Sequence, residues 1–280
     1  MKYVEPTSLS EALEILAGDD EARCLAGGAT LVAMLNADLV EPSTLIGLRR
    51  IDELAGITAT GDQLRIGAMT THAQIAVDGR LTGNAAVVRD AARQIAHPAI
   101  RNMGTIGGAI CHADPNADFP GALVAANAVL VAAGQSGTRQ IPADEFFLDY
   151  LETSLEEDEI LSAVMLPVEP SGAGARHLKF SRTHGDYATV SISLVLVLDA
   201  GACSYARVAV GSVGPTPLHL TEVDEILTGS DLAGETIRQA GRKLMEAADP
   251  VDDVRGSAEY RRMIIPGLLQ RAVDELREVG

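Results

Sequence analysis

Two glycine clusters, "LAGGATL" (residues 25–31) and "GTIGGAI" (residues 104–110), constrain the fold of this chain more than any other feature. Glycine adopts positive φ without strain and lets a backbone approach its neighbours closely, so each cluster is predicted to be a tight strand-to-helix turn or a turn that faces a ligand. Neither fits G-x-G-x-x-G or G-x-x-x-x-G-K-[ST], the usual nucleotide-binding loops. Each still places unhindered amides beside a hydroxyl, Thr30 or Thr105, with no Lys or Arg inside. This combination suits a pyrophosphate held by amide dipoles.

The acid that follows the second cluster leaves two interpretations open. Asp118 ends the run "ICHADPNAD", shortly after the glycines. A carboxylate in this place can accept a hydrogen bond from a ribose or ribityl hydroxyl of a cofactor. It can equally be a solvated loop acid, the usual state of this residue type. Spacing alone does not separate the two.

Composition excludes several classes of function. The 280 residues are 47% hydrophobic, enough to bury the cores of two or three small domains. The formal net charge is −17, and phosphate backbones and anionic lipids repel such a chain, which argues against nucleic-acid or membrane-surface binding. With no Trp, a base-stacking platform is not expected either. No apolar run is long enough for membrane insertion and the first residues lack a signal-peptide core, so we expect a cytoplasmic protein.

No metal site is expected. Cys24, Cys111 and Cys203 are far apart in the sequence and form neither a disulfide framework nor a zinc or iron–sulfur ligand set. His112 and Asp114 stand two residues apart with no third ligand in sight, which is too few for a metal ion.

Hydrophobic periodicity outlines the secondary structure. "TSLSEALEILA" predicts an amphipathic helix capped by Ser8 or Ser10. "GNAAVVRDAARQIA" predicts a helix that ends at His97-Pro98. "ATVSISLVLVLDAG" and "YARVAVGSVG" predict neighbouring strands of an antiparallel sheet. A polar Gly/Ser/Pro stretch near residues 169–174 predicts the main domain boundary.

Isolated basic residues are given structural roles. The pairs Arg49-Arg50 and Arg261-Arg262 are predicted to form surface ion pairs or subunit contacts. His72 is predicted to lie at a helix end or on the surface. None of these residues is predicted to bind substrate.

No catalytic constellation is visible in the sequence. It lacks a G-x-S-x-G elbow, a Cys/His nucleophile signature and paired carboxylates in an apolar setting. No catalytic residue is therefore expected. Any part in catalysis is expected to come from a bound cofactor, which the protein orients and tunes.

The two glycine clusters together carry a family resemblance. "AGGATL" near residue 30 and "RNMGTIGGAICHADPNAD" near residue 110 resemble, in this order and spacing, the FAD-binding medium subunit of the molybdenum hydroxylases. The carbon monoxide dehydrogenase and xanthine dehydrogenase types are the relatives in question. The likeness continues through "DEILSAVMLP", "KFSRTHGDYATVSI" and "VGSVGPTPLHLTEVDEIL", and so covers nearly the whole chain.

This resemblance implies an α+β fold. A two-part FAD-binding domain of the vanillyl-alcohol-oxidase (PCMH) type is expected over residues 1–55 and 56–172. A C-terminal domain with a three-stranded antiparallel sheet and helices is expected over residues 173–280. The predicted linker falls at the same division.

The resemblance also implies where the cofactor binds. The backbone of both clusters is expected to surround the FAD pyrophosphate, Asp118 to bind the hydroxyl-rich middle of the cofactor, and Tyr187 to cover the isoalloxazine ring. Ile95 and Leu161 are expected as apolar contacts, and Lys179 as a polar contact from the C-terminal domain. The complete expected set is Cys24, Leu25, Ala26, Gly27, Gly28, Ala29, Thr30, Leu31, Ile95, Thr105, Ile106, Gly107, Gly108, Ala109, Asp118, Leu161, Lys179 and Tyr187.

Two positions depart from the family pattern. The second motif usually ends Gly-Gly-Asn, where this chain has Ala109, and the first often carries His or Thr, where this chain has Ala29. Both changes remove a side chain and leave the backbone amides in place. They bear on affinity more than on the mode of binding.

Three hypotheses for function remain open, and the resemblance favours the first. In it, the chain takes electrons from [2Fe-2S] clusters of a small partner subunit and passes them through FAD to an external acceptor, NAD, a quinone or oxygen. In the same hypothesis, a large molybdopterin-binding subunit oxidises the substrate by hydroxylation. The second hypothesis is a self-sufficient flavin oxidase or dehydrogenase. The third is a scaffold that has kept the fold and lost the flavin, for which Ala29 and Ala109 are the best support.

Overall fold

A three-stranded parallel sheet opens the fold. The computed structural model describes residues 1–168 and 170–279, with the backbone alone at residue 279. The first part contains β1 (Lys2–Val4), α1 (Leu9–Ala17), β2 (Arg23–Leu25), α2 (Leu31–Asn36) and β3 (Thr44–Gly47), with β3 paired in parallel between β1 and β2. Of the two predicted caps of α1, the structure uses Ser8, whose hydroxyl accepts a hydrogen bond from the Glu11 amide at 3.2 Å.

The second part is a five-stranded antiparallel sheet with helices packed on it. In chain order it contains β4 (Ile57–Thr60), β5 (Gln63–Gly67), α3 (His72–Val77), α4 (Ala86–Gln94), α5 (Pro98–Met103), α6 (Ile106–His112), α7 (Asp118–Ala125), β6 (Val129–Gly134), β7 (Gly137–Pro142), α8 (Ala143–Phe146), β8 (Phe147–Asp149), β9 (Glu152–Thr153) and β10 (Ile160–Pro167). The sheet order is β4-β5-β10-β6-β7, and β8 and β9 pair as a separate hairpin.

The third part is an antiparallel sheet backed by three helices. It contains β11 (Gly174–Phe180), β12 (Val190–Asp199), β13 (Ala202–Gly211), β14 (Leu218–His219), α9 (Thr221–Leu227), α10 (Gly234–Ala247) and α11 (Ala258–Val279). The two long central strands pair from Ser191–Gly211 to Asp199–Ala202, which confirms the predicted antiparallel neighbours. Position 169, the first of the predicted linker, lies outside the described residues.

The expected three-stranded C-terminal sheet is wrong by one strand. The order is β11-β12-β13-β14, and β14 pairs with β13 at only two positions, Ala209–His219 and Val210–Leu218. The segment that returns along β13 contains Pro215 and Pro217. Proline donates no backbone hydrogen bond, so this edge strand is too short to show apolar alternation in the sequence.

The region of the second glycine cluster is more helical than predicted. Helix α4 ends at Gln94, and Pro98 then occupies the first turn of α5, where its missing N–H costs nothing. Gly107 and Gly108 lie inside the first turn of α6, after the N-cap Thr105. Glycine disfavours helix interiors, which is why the sequence predicted a turn here.

Helix α7 joins the second part to the third. Every residue of α7 is buried, and the helix packs against α4 on one side and against β12 and β13 on the other. Among the described residues, no helix has both the length and the apolar character needed to cross a bilayer.

Candidate cofactor-binding site

The first glycine cluster presents a row of free backbone donors. It connects β2 to α2, and Gly28 has a φ of 79°, the left-handed conformation that glycine adopts readily. Within the described part of the chain, the amides of residues 27–31 donate no hydrogen bond. Successive unpaired amides around a left-handed residue form a concave site for an anionic oxygen. The turn therefore suits a phosphate group without any Lys or Arg.

The second glycine cluster differs, because most of its amides already donate hydrogen bonds within the chain. The Ile106 amide donates to the Thr70 carbonyl at 3.0 Å and the Gly107 amide to the Ala68 carbonyl at 2.8 Å. The next two amides, of Gly108 and Ala109, donate to the hydroxyl and the carbonyl of Thr105 at 3.2 and 3.0 Å. The second cluster therefore has few free donors, but its small residues allow a ligand to approach its backbone closely.

Two of the predicted glycines are required by packing within the chain. A Cβ added at Gly27 would lie 1.9 Å from the Met103 carbonyl oxygen. A Cβ added at Gly107 would lie 2.6 Å from the Ala68 Cβ. Real Cβ atoms do not approach so closely, so a side chain at either position displaces backbone.

Gly108 is the glycine that faces outward. It is exposed, and a Cβ added there would meet only the Thr105 hydroxyl at 3.1 Å and the Ala26 Cβ at 3.5 Å. Ala26 belongs to the first cluster, so the two clusters lie against each other at this point. The structure thus brings both predicted motifs to one surface.

Asp118 is buried and paired, so its interpretation as a solvated loop acid is wrong. It is the first residue of α7 and only 5% exposed. Its Oδ1 lies 3.0 Å from His177 Nε2, and its Oδ2 accepts from Lys179 Nζ at 2.9 Å. Burial alone raises the pKa of Asp118, but the hydrogen bond and charge of His177 and the charge of Lys179 outweigh it and hold the pKa below the ordinary value.

Asp118 retains acceptor capacity beside these partners. A carboxylate has about four lone-pair sites, and one protein donor on each oxygen leaves room for a hydroxyl. Lys179 Nζ also donates to the Gln94 carbonyl at 2.7 Å, next to the predicted contact Ile95. Lys179 and Ile95 therefore lie close together, on elements more than eighty residues apart in sequence.

The two predicted apolar contacts occupy different environments. Ile95 follows the last residue of α4 and is half-buried. Leu161 lies in β10 and is 3% exposed, packed in the core of the second part. The Leu161 side chain is thus used by the core and is not presented at the surface.

Tyr187 lies in the loop between β11 and β12, and its side chain is 41% exposed. The loop is pressed against the segment after α4, since a Cβ added at Gly185 would lie 2.5 Å from the Ala96 carbonyl oxygen. Partial burial, then the charge of Asp114 and a hydrogen bond with it, raise the pKa of the Tyr187 phenol. An exposed aromatic ring fixed at this edge is suited to contact a planar ligand.

The sequence missed two buried histidines beside the site. His177 lies on the same face of β11 as Lys179, as the alternation of side chains along a strand predicts. The alternation alone does not show that His177 pairs with Asp118. His72 is the first residue of α3, as predicted, but only 4% exposed, with its ring edge-on to Phe119 at 5.2 Å. Burial lowers the pKa of His72 to about 4.

The described residues hold no group of three His, Cys, Asp or Glu side chains that could bind a metal ion. The site chemistry is therefore that of an anion-binding turn, a buried acid with fixed partners and an exposed aromatic ring. These features match the parts of a dinucleotide cofactor: phosphates, hydroxyls and a planar ring.

Two family models together match most of the chain. The family model described as "FAD binding domain in molybdopterin dehydrogenase" matches residues 1–169, and "CO dehydrogenase flavoprotein C-terminal domain" matches residues 177–276. The chain is 38% identical over 97% of its length to the 6-hydroxypseudooxynicotine dehydrogenase complex subunit alpha of Paenarthrobacter nicotinovorans, covering 92% of that protein. It is 36% identical over 98% of its length to the carbon monoxide dehydrogenase medium chain of Afipia carboxidovorans, covering 96% of it.

A solved structure agrees with the sequence comparisons. The fold is similar to a chain of carbon monoxide dehydrogenase from Hydrogenophaga pseudoflava with a TM-score of 0.96 at 33% identity. The match covers 99% of this chain and 97% of that one.

Proposed function

The chain belongs to the family of FAD-binding medium subunits of the molybdenum hydroxylases, and from this we propose that it carries electrons from [2Fe-2S] clusters of a small partner subunit to an external acceptor. When bound, FAD supplies the redox group that accepts electrons from one side and releases them on the other. The chain's own residues bind and orient that group.

The free amides of residues 27–31 carry the proposal. Among the described residues, they are the longest run of consecutive unpaired backbone donors in the two clusters. We assign the pyrophosphate to this turn and the close approach of the cofactor to exposed Gly108. Ala29 and Ala109 leave these features intact, because neither amide donors nor open space depend on their side chains.

We assign a cofactor hydroxyl to Asp118 and the isoalloxazine ring to Tyr187. Asp118 accepts a hydrogen bond from a cofactor hydroxyl, since its own partners leave lone pairs unused. Tyr187 covers one face of the isoalloxazine and so limits access by an acceptor that must stack on the ring. These roles require no proton transfer by the chain.

Substrate choice is assigned to another subunit. Proteins similar to this chain over nearly its full length are named for complexes acting on 6-hydroxypseudooxynicotine and on carbon monoxide. Substrates so different in size and chemistry do not share one pocket. A large molybdopterin-binding subunit is therefore proposed to oxidise the substrate.

The sheet grouping supports the proposed domains, 1–55 and 56–172 for FAD and 173–280 at the C-terminus. The first sheet ends at Gly47, the second runs from Ile57 to Pro167, and the third begins at Gly174. Within the part of the chain that the structure describes, no strand is shared between these three sheets.

Purification of the chain with its native partners tests the proposal. The complex is expected to contain two further subunits and to release FAD, not FMN, on denaturation. Substrate is expected to bleach the flavin absorbance only when all three subunits are present. Turnover by the isolated FAD-loaded chain would instead support a self-sufficient oxidase, and failure to take up FAD would support the scaffold.

A further inference from the structure

A buried line of hydrogen bonds runs from the C-terminal sheet to Asp118. Ser193 Oγ lies 2.8 Å from His177 Nδ1, and His177 Nε2 lies 3.0 Å from Asp118 Oδ1. Ser193 and His177 are each 1% exposed, and Asp118 is 5% exposed. Ser193 and His177 are so enclosed that each depends on its neighbours in this line for the hydrogen bonds of its side chain.

The chemistry of the carboxylate fixes the direction of the bond between His177 and Asp118. An ionised carboxylate only accepts, so His177 donates Nε2–H to Asp118. His177 Nδ1 forms the second bond with the Ser193 hydroxyl, a group that can both donate and accept. Ser193 is too enclosed to attack a substrate, so this serine–histidine–aspartate line orients a carboxylate instead of activating a nucleophile.

A second connection holds the other oxygen. Lys179, on the same face of β11 as His177, donates to Asp118 Oδ2 at 2.9 Å and to the Gln94 carbonyl at 2.7 Å. Gln94 in turn donates its side-chain amide to the His177 carbonyl at 2.7 Å. Both oxygens of Asp118 are thus held by residues of the C-terminal domain.

We propose that His177 is a positioning residue for FAD binding, which fixes the Asp118 carboxylate so that its free lone pairs point to a cofactor hydroxyl, with Ser193 fixing the imidazole. This rests on the proposed function. A carboxylate held by two donors loses little further freedom when a ligand hydroxyl binds, and such preorganisation raises affinity. FAD affinity therefore depends on two residues that do not touch the cofactor.

Variants of this chain test the inference, first in the wild-type background and then in an Asp118→Ala background. FAD dissociation constants are measured by flavin fluorescence after reconstitution of the apoprotein, for His177→Leu, His177→Gln and Ser193→Ala. Loss of the hydrogen bond to Asp118 is expected to weaken FAD binding about tenfold in His177→Leu, corresponding to one charge-assisted hydrogen bond. The glutamine amide can still donate to Asp118, so His177→Gln is expected to recover most of the affinity.

The second background, Asp118→Ala, separates positioning from general structure. If His177 acts through Asp118, adding His177→Leu to Asp118→Ala is expected to change the FAD dissociation constant less than twofold. Ser191→Ala is the matched control, a buried serine of the same strand whose hydroxyl lies against Gly211. It is expected to leave FAD affinity unchanged.

Two results would overturn the inference. One is an unchanged dissociation constant in His177→Leu, and the other is a tenfold loss that persists in the Asp118→Ala background. Ser193→Ala removes only one hydroxyl, so its FAD dissociation constant can still test the inference if His177→Leu does not fold. A wild-type chain that binds no FAD would overturn the proposed function itself, and this inference with it.

Discussion

The guanidinium carbon of Arg255 lies 5.0 Å from the centroid of the Tyr187 ring. Arg255 is held by Asp186 and Asp253, each with an oxygen 3.6 Å from a guanidinium nitrogen. Asp186 also accepts a hydrogen bond from the Tyr187 amide at 2.8 Å. One face of the Tyr187 ring is therefore covered by a cation whose own position is fixed, and the ring remains 41% exposed beyond it.

Tyr187→Ala is expected to shift the flavin absorption spectrum and to change the rate at which external acceptors reoxidise the flavin. An aromatic contact contributes on the order of 1 kcal/mol, so FAD affinity should fall only severalfold. Reduction by the proposed iron–sulfur partner should change much less, because that electron transfer needs no stacking on the ring. Stopped-flow spectra of both half-reactions measure this, and equal spectra and equal reoxidation rates would show that Tyr187 lies away from the ring.

Arg255→Ala is expected to loosen Tyr187 without removing it. A cation–π contact at a partly exposed site contributes about 0.5–1 kcal/mol, so a two- to fivefold change in reoxidation rate is expected. Arg255→Lys should retain part of the effect. Arg271→Ala, which breaks a surface ion pair with Glu275 on α11, is the matched control and should change nothing. Identical rates in all four proteins would contradict a role of Arg255 at Tyr187.

The two glycines of α6 are expected to respond differently to valine. Gly108→Val should keep most of the stability and lower FAD affinity, because an added Cβ meets only the Thr105 hydroxyl at 3.1 Å and the Ala26 Cβ at 3.5 Å. Gly107→Val should lower the free energy of unfolding by about 1–3 kcal/mol, because its Cβ collides with Ala68. Thermal melts of the apoproteins and FAD titrations separate the two effects. Retained FAD affinity in Gly108→Val would show that the outward glycine does not face the cofactor.

Amide hydrogen exchange offers an internal comparison between the clusters. The unpaired amides of residues 27–31 are expected to exchange fast in the apoprotein and to slow when FAD is added. The amides of residues 106–109 are already bonded and should be protected in both states. Mass spectrometry of peptides from the two regions measures this. Slowing confined to the second region would place the pyrophosphate there instead.

Stability is expected to fall at alkaline pH because of His219. His219 lies 2.7 Å from Asp224 and 3.3 Å from Asp144, and Arg207 also pairs with Asp144. Burial by itself lowers the pKa of His219, but the hydrogen bonds to Asp144 and Asp224 outweigh it and raise the pKa to about 9. The folded state therefore holds this proton more tightly than the unfolded state, and the stabilisation is complete below about pH 6.5 and lost as pH rises through 9.

The contribution of His219 is of the order of 2–3 kcal/mol between these limits. Urea unfolding of wild type and His219→Gln at pH 6 and pH 9.5 measures it, since other titrating groups cancel in the difference. The wild type should be the more stable at pH 6, and the two should converge at pH 9.5. A constant difference at both pH values would show that His219 acts through packing alone.

Local sequence patterns predicted several helices and strands correctly. The predictions were wrong where tertiary packing overrode the local preference of the residues. Ser8 and the two long C-terminal strands were predicted because capping and alternation act within a few residues. The helix over Gly107 and Gly108 was missed because glycine disfavours helix, whereas its close contact with Ala68 permits no other residue at Gly107. Strand β14 left no pattern at all.

Buried charge was the least predictable feature. Arg49 forms its expected surface ion pair with Glu5, but Arg261 is 2% exposed, and its prediction as a surface residue is wrong. It donates to the carbonyls of Thr189 and Ser212 and pairs with Asp253. The two carbonyls are backbone atoms distant in sequence, which a pattern of side chains does not reveal. The pairing of His177 with Asp118 was missed because the two residues are 59 positions apart in sequence.

The attachment of Asp118 to β11 and β12 has a consequence for synthesis in the cell. Both glycine clusters and Asp118 leave the ribosome before His177, Lys179 and Ser193 do, because chains emerge from the N-terminus and domains fold as units. A nascent chain that ends before Ser193 has the phosphate turn but no fixed acid. If the chain binds FAD as proposed, cofactor capture is expected to be a late event, completed only after the C-terminal sheet has docked. Newly made chains are then expected to hold FAD weakly for a period and to exchange it with the cellular pool.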